Sequence, residues 1–144
     1  MAPGLHEFQL QIVERHLDTF GHVNNARYLE IFEEARWDWI TGRGFGFDTI
    51  HRLQQGPTVL SCTMQFRREL HNREHVRVLT EMLSYVHKTG ECRQSLINAS
   101  GDVACEATFV VGLFDLKSRR LVPPTPEWLH ALDFSDRYQP KVTA

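Results

Sequence analysis

The chain has 144 residues, 42% apolar and 24% charged, enough for a single domain with a real core and too short for a second catalytic lobe. Sixteen basic against eighteen acidic residues leave a formal net charge of −2, so no global field draws in nucleic acid or an anionic membrane, and an anionic ligand must be held by a local patch. Cys62, Cys92 and Cys105 form no C-x-x-C pair, the amino terminus has no leader pattern, and no stretch reaches bilayer length; a reducing, cytoplasmic setting without membrane insertion is the expectation.

In chain order, Phe8, Leu10 and Ile12 alternate with polar neighbours over residues 7–14, which predicts a half-buried strand. A short polar stretch with one glycine follows, and the period then changes: Tyr28, Leu29, Phe32, Ala35, Arg36, Trp39 and Ile40 recur at helical spacing, giving a helix of about four turns. Asn24 or Asn25 suits its N-cap, and Gly42 and Gly44 mark its end. Ile31 and Trp37 fall off the main stripe, which gives this helix apolar neighbours on more than one side. Leu60, Cys62, Met64 and Phe66 alternate in a second strand after Gly56 and Pro57. Residues 76–86, 92–98 and 104–116 read as three further strands joined by turns at 87–90 and 99–102, an antiparallel meander. A short helix starts at Pro126 with Thr125 as its cap. One long helix cannot cover both faces of a five-stranded sheet, so the expected solution is an α+β fold in which a curved antiparallel sheet wraps the helix and a second copy covers what remains.

The densest chemistry lies between the first strand and the long helix, in DTFGHVNNARY over residues 18–28. The helix start offers unpaired N–H groups and the positive end of its dipole to a carbonyl oxygen that becomes an oxyanion. Asp18, seven residues before Asn25, reaches the same carbonyl carbon if the loop folds back, joining a base or nucleophile to an oxyanion donor. An equally simple reading has Asp18 forming an Asx-turn and Asn24 only capping the helix.

The stretch LDTFGHVNNARYL (residues 17–29), followed by FEEAR (32–36) and FRR (66–68), resembles the signature of the hotdog-fold acyl-CoA thioesterases related to 4-hydroxybenzoyl-CoA thioesterase, the bacterial long-chain acyl-CoA enzymes in particular. The resemblance runs from about His6 to about Leu132. It implies a hotdog domain spanning residues 1–144 that hydrolyses medium- to long-chain fatty acyl-CoA without metal or bound cofactor, as a homodimer or homotetramer with active sites at the subunit interface. It makes Asp18 the carboxylate that attacks the thioester or activates water, and the Asn25 backbone N–H the donor that polarises the carbonyl. His22, Asn24 and Tyr28 fall in the substrate-binding lining, and Glu33 and Arg36 on the central helix, where pairing is favoured over catalysis. Two positions depart from the pattern: His16 stands where many relatives carry a second Asp, and Phe20 where some carrier-protein thioesterases have a polar catalytic residue.

Arg67 and Arg68, with Arg73 nearby, suit the phosphates of coenzyme A, though each taken singly also reads as a solvated strand end. Among Trp37, Trp39, Phe45 and Phe47, the two phenylalanines, in a glycine-rich loop (GRGFG, 42–46) expected to be mobile, are the stronger candidates for acyl-chain contact. HNREH (71–75) fits H-x-x-E-H formally, without the helix a zinc site requires. No serine lies in a G-x-S-x-G elbow. Two other activities fit the same chain: hydration or dehydration of an acyl thioester by a His and Asp or Glu pair, and acyl-CoA binding without catalysis.

Overall fold

The computed structural model describes residues 4–141. Strand β1 (His6–Gln11) leads through a 3₁₀ turn (Glu14–His16) to helix α1 (Asn25–Gly42) and helix α2 (Phe47–Leu53). Strands β2 (Gln55–Phe66), β3 (His75–Val86), β4 (Thr89–Ile97), β5 (Val103–Asp115) and β6 (Arg120–Val122) follow, and helix α3 (Pro126–Ala131) comes last. The sheet is antiparallel throughout, in the order β1-β3-β4-β5-β2, with β6 pairing the far end of β5. No described helix is long and apolar enough to cross a membrane.

Alternation builds one core face. Val76, Val78, Thr80 and Met82 of β3, Cys92, Gln94 and Leu96 of β4, and Ala107, Phe109 and Val111 of β5 are all buried. They meet Tyr28, Ile31, Phe32, Ala35, Trp39 and Ile40 of α1, with Phe32 edge-on to Phe109 at 6.0 Å. Each fully buried aliphatic or aromatic side chain contributes about 1.5–3 kcal/mol, so this face holds α1 against the sheet. The arrangement is the α+β sheet wrapped around a long helix that the resemblance implies.

The stripe on α1 differs in two places from its spacing. Ile31, off the stripe, is buried, and Leu29, on it, is exposed, while Trp37 is exposed as its place off the stripe implies. The meander and α3 lie where the pattern puts them, with Thr125 Oγ1 accepting the Trp128 N–H at 3.2 Å, and β2 starts slightly earlier than expected, at Gln55. Two elements were not expected. Residues 47–53 form α2 rather than a loop, and β6 adds a sixth strand of three residues.

Strand β2 is an edge. Among the described residues only β5 pairs with it and its outer side is open, and Val59, Leu60, Cys62 and Phe66 are exposed along it. Pro57 sits near its start, where a missing N–H costs an edge strand nothing. A bulge falls at Leu60, between the Val59 and Ser61 pairings.

Candidate active site

The chain between the 3₁₀ turn and α1 doubles back on itself. The Asp18 N–H donates to the His22 carbonyl at 2.8 Å, Leu17 and Val23 form an antiparallel bridge, and the Asn24 N–H donates to the His16 carbonyl at 2.9 Å. Gly21 closes the turn by donating to the Asp18 carbonyl at 3.1 Å, with φ at +80°, a conformation that favours glycine. These bonds return Asp18 to the start of α1.

The Asp18 carboxylate receives two backbone N–H groups on Oδ1, from Phe20 at 2.8 Å and His22 at 3.3 Å. No hydrogen bond is made to Oδ2 among the described residues. Asn24 caps α1 by accepting the Ala26 N–H at 2.9 Å, and Asn25 is the first helical residue. The Asx-turn and the helix cap are therefore both present. Neither competes with chemistry at this place, since fixing Oδ1 orients the carboxylate and leaves its second oxygen open.

Asp18, His22, Val23, Asn25 and Tyr28 line one side of an open groove of about 450 Å³, and Phe66, Arg67, Arg68 and Glu69, at the end of β2 and just beyond it, line the other. Tyr28 packs edge-on against Phe66 at 5.1 Å. Burial pushes its phenol up to about 12, so the hydroxyl keeps its proton. His22 Nε2 lies 3.4 Å from Glu69 Oε2 at the exposed rim. Arg67 donates to Gln65 at 2.6 Å and lies 4.0 Å from Glu106, while Arg68 is 3.7 Å from Asp102. Both arginines are largely exposed, so these pairs hold them only loosely.

Not every residue singled out from the sequence lies here. Asn24 stands behind the groove as the cap. Arg73 is turned away, pairing with Glu14. Phe45 is buried edge-on against Trp128 at 5.0 Å, and Phe47 stands exposed in the first turn of α2 beside His51. Neither phenylalanine lines the groove, because the glycine-rich segment turns inward to seat Phe45 and then enters α2. HNREH is a turn leading into β3, where the Glu74 carboxylate accepts the N–H groups of His71 at 2.9 Å and Ala99 at 2.8 Å.

Three further residues support this region: His16, which the sequence marks only as a departure from the family pattern, and Glu69 and Gln94, which carry little or no local signal. Glu69 follows the arginine pair and reads as one more charge at a strand end. His16 is buried under the loop, with Nδ1 accepting the Val13 N–H at 2.9 Å. Gln94 shares the parity of Cys92 and Leu96, so a polar residue on the apolar face of β4 was the available clue. Its amide donates to the Phe32 carbonyl at 2.9 Å and to Thr80 at 3.0 Å, and its oxygen accepts from Arg36 at 2.9 Å.

Residues 14–132 match the family model described as the thioesterase-like superfamily. The chain is 30% identical over 114 residues to the long-chain acyl-CoA thioesterase FadM of Escherichia coli, covering 78% of this chain and 85% of that protein. Among solved structures, a probable thioesterase from Escherichia coli superposes with a TM-score of 0.78 at 26% identity, over 90% of this chain and 97% of that one. A Staphylococcus aureus protein solved in complex with CoA gives a TM-score of 0.86 at 17% identity, over 100% of this chain and 91% of that one, a likeness of fold.

Proposed function

The chain belongs to the thioesterase-like superfamily and is a thioester hydrolase; from that premise we propose that it cleaves medium- to long-chain fatty acyl-CoA to free acid and CoA in the groove between the first loop and β2. The observation that carries this reading is the lining of that groove: a carboxylate held by two N–H groups and the first residue of an eighteen-residue helix share one wall. The chemistry follows from their character. The thioester carbonyl oxygen accepts the Asn25 N–H, where the helix dipole favours the negative charge that develops on it. Asp18 Oδ2 either attacks the carbonyl carbon itself, or takes a proton from water whose oxygen attacks. The carbon–sulfur bond then breaks with its electron pair on sulfur; on the first route this leaves the acyl group on Asp18 as a mixed anhydride, which water hydrolyses to the free acid and the regenerated carboxylate. The CoA thiolate is stable enough near neutral pH to leave without a strong general acid.

The remaining wall supports the substrate class. Arg67 and Arg68 provide two cations for the CoA phosphates, and Tyr28 and Phe66 give the acyl end apolar surface. Preference for a medium to long aliphatic chain draws on the identity to the Escherichia coli long-chain enzyme. The open β2 edge, with exposed Val59, Leu60 and Phe66 and with Leu29 and Trp37 of α1 exposed as well, supports assembly into a homodimer or homotetramer. The groove ends on β2, so a copy paired there would wall the site further.

One specific contact favours a second reading. His22 and Glu69 face each other across the groove, the residue types used to add water to an enoyl thioester. A panel of acyl-CoA and enoyl-CoA substrates, followed by a thiol-reactive dye and by absorbance of the conjugated thioester, separates the two. Thiol release rising from short to long saturated chains is expected; loss of conjugation without thiol release would overturn the hydrolytic assignment.

A further inference from the structure

A second cavity, of about 290 Å³, lies further along α1, between its carboxyl-terminal half and strands β2 to β5. Its mouth is set by Trp37 and Val59, exposed on the single chain and on the β2 side where a second copy is proposed to pack, and its floor by buried Trp39, Met82, Val111 and Trp128. One cation, Arg36, lines this apolar space. Its guanidinium lies over the Phe109 ring at 4.3 Å and donates through one nitrogen to Gln94 Oε1 at 2.9 Å. Gln94 is itself anchored to the Phe32 carbonyl and Thr80, so the cation is held in place rather than swinging free.

What Arg36 lacks is an anion. Among the described residues no carboxylate lies within ion-pair distance of it. Glu33, one helical turn earlier, is exposed at the mouth and forms no hydrogen bond to it. Burial pulls the Arg36 pKa down from its ordinary value, partly opposed by Glu33 and by the Cys92 and Cys62 thiols, yet a guanidinium stays charged in any protein setting. A partly desolvated cation held by a neutral amide and an aromatic face still lacks a counter-charge, and a carboxylate is the partner that offsets its desolvation best, through two parallel charge-assisted bonds. An apolar chain attached to that carboxylate would occupy the tryptophan-lined remainder.

We propose that this cavity is a binding site for an aliphatic carboxylate, with the carboxylate on Arg36 and the chain against Trp37, Trp39, Met82 and Trp128. Two molecules share that chemistry: a free fatty acid, and an acyl thioester carrying a second carboxylate at its far end. The site stands on its own cavity and cation, independently of the part assigned to Asp18.

The three tryptophans of the chain, Trp37, Trp39 and Trp128, all line this cavity, so intrinsic fluorescence reports its occupancy without any turnover. Titration of the intact protein at neutral pH with decanoate and with 1-decanol compares one chain with and without the anion. Decanoate is expected to shift the emission and bind at least about tenfold more tightly than decanol, the least that one charge-assisted pair provides. Arg36→Met, which keeps the apolar stem, should bring the two ligands level. Equal affinities in the wild-type protein, or decanoate affinity unchanged in Arg36→Met, would overturn the proposal, and the wild-type comparison decides even if the variant does not fold. Hydrolysis of decanoyl-CoA and of the mono-CoA thioester of decanedioic acid identifies the source. Faster turnover of the second assigns the site to the far end of an acyl chain; equal turnover assigns it to the free acid. Decanoate binding without hydrolysis of either thioester would leave the site standing and remove the acyl-CoA reading of the groove.

Discussion

His16 shows how one side chain holds the site together from beneath. Its Nδ1 accepts the Val13 N–H, so the ring proton sits on Nε2, which is buried without a partner among the described residues. Its carbonyl holds the Asn24 N–H, the register contact that brings the loop back to α1. Burial, and then the neighbouring Arg15 charge, push the imidazole below its ordinary value of 6.5. The unfolded chain therefore binds the proton more readily than the folded one. Its contribution to stability is complete above about pH 6.5 and is lost as pH falls toward the folded-state value, at no more than about 1.4 kcal/mol per pH unit. Urea unfolding across pH 7.5 to 5.5 should show this decline, and His16→Gln should flatten it; a decline of equal slope in the variant would contradict the assignment. At this scale the sequence was most readable where signals are local. Asp18 and Asn25 are only seven positions apart, so the sequence allowed them to meet if the loop folded back, as its backbone bonds make it do. Phe45 was not readable in that way, because Trp128, which buries it, comes from α3 near the other end of the chain.

Elements were legible where they carried a clear period or, like the six-residue α3, opened on a cap and a proline. The long strands and α1 each span several periods, so alternation and helical spacing located them. Strand β6, with three residues held only by β5, and α2, with seven residues after two glycines, are too short for any period to emerge. The pattern also located β2 without revealing its surroundings. Alternation implies that one face is buried, yet most of the central part of β2 is exposed, the surface that the proposed second copy would cover. A long apolar edge is an association surface. In sedimentation velocity the wild-type protein is expected to run as a dimer or larger at micromolar concentration, and Val59→Lys with Leu60→Lys should shift it to monomer. A wild-type monomer would contradict the assembly proposed here.

Across the whole molecule, topology separates the two proposed sites along one helix. The start of α1 meets the end of β2 at the groove, while the later turns of α1 meet the beginning of β2 at the tryptophan-lined cavity. The arc of the sheet was predictable from one helix and too few partners for its faces. The Arg36 and Gln94 pair was not, since it joins residues fifty-eight positions apart. The hydrolysis proposed for this fold rests on Asp18 and the α1 start serving the same carbonyl. Asp18→Asn keeps the size of the side chain and the amide-tied turn while removing the negative charge. With saturating decanoyl-CoA, thiol release by this variant is expected to fall by about 10² to 10⁴ in turnover number with the KM little changed. Turnover within twofold of the wild-type protein, in a variant that is folded and of unchanged oligomeric state, would contradict the assignment of the groove as the place where the thioester is cleaved.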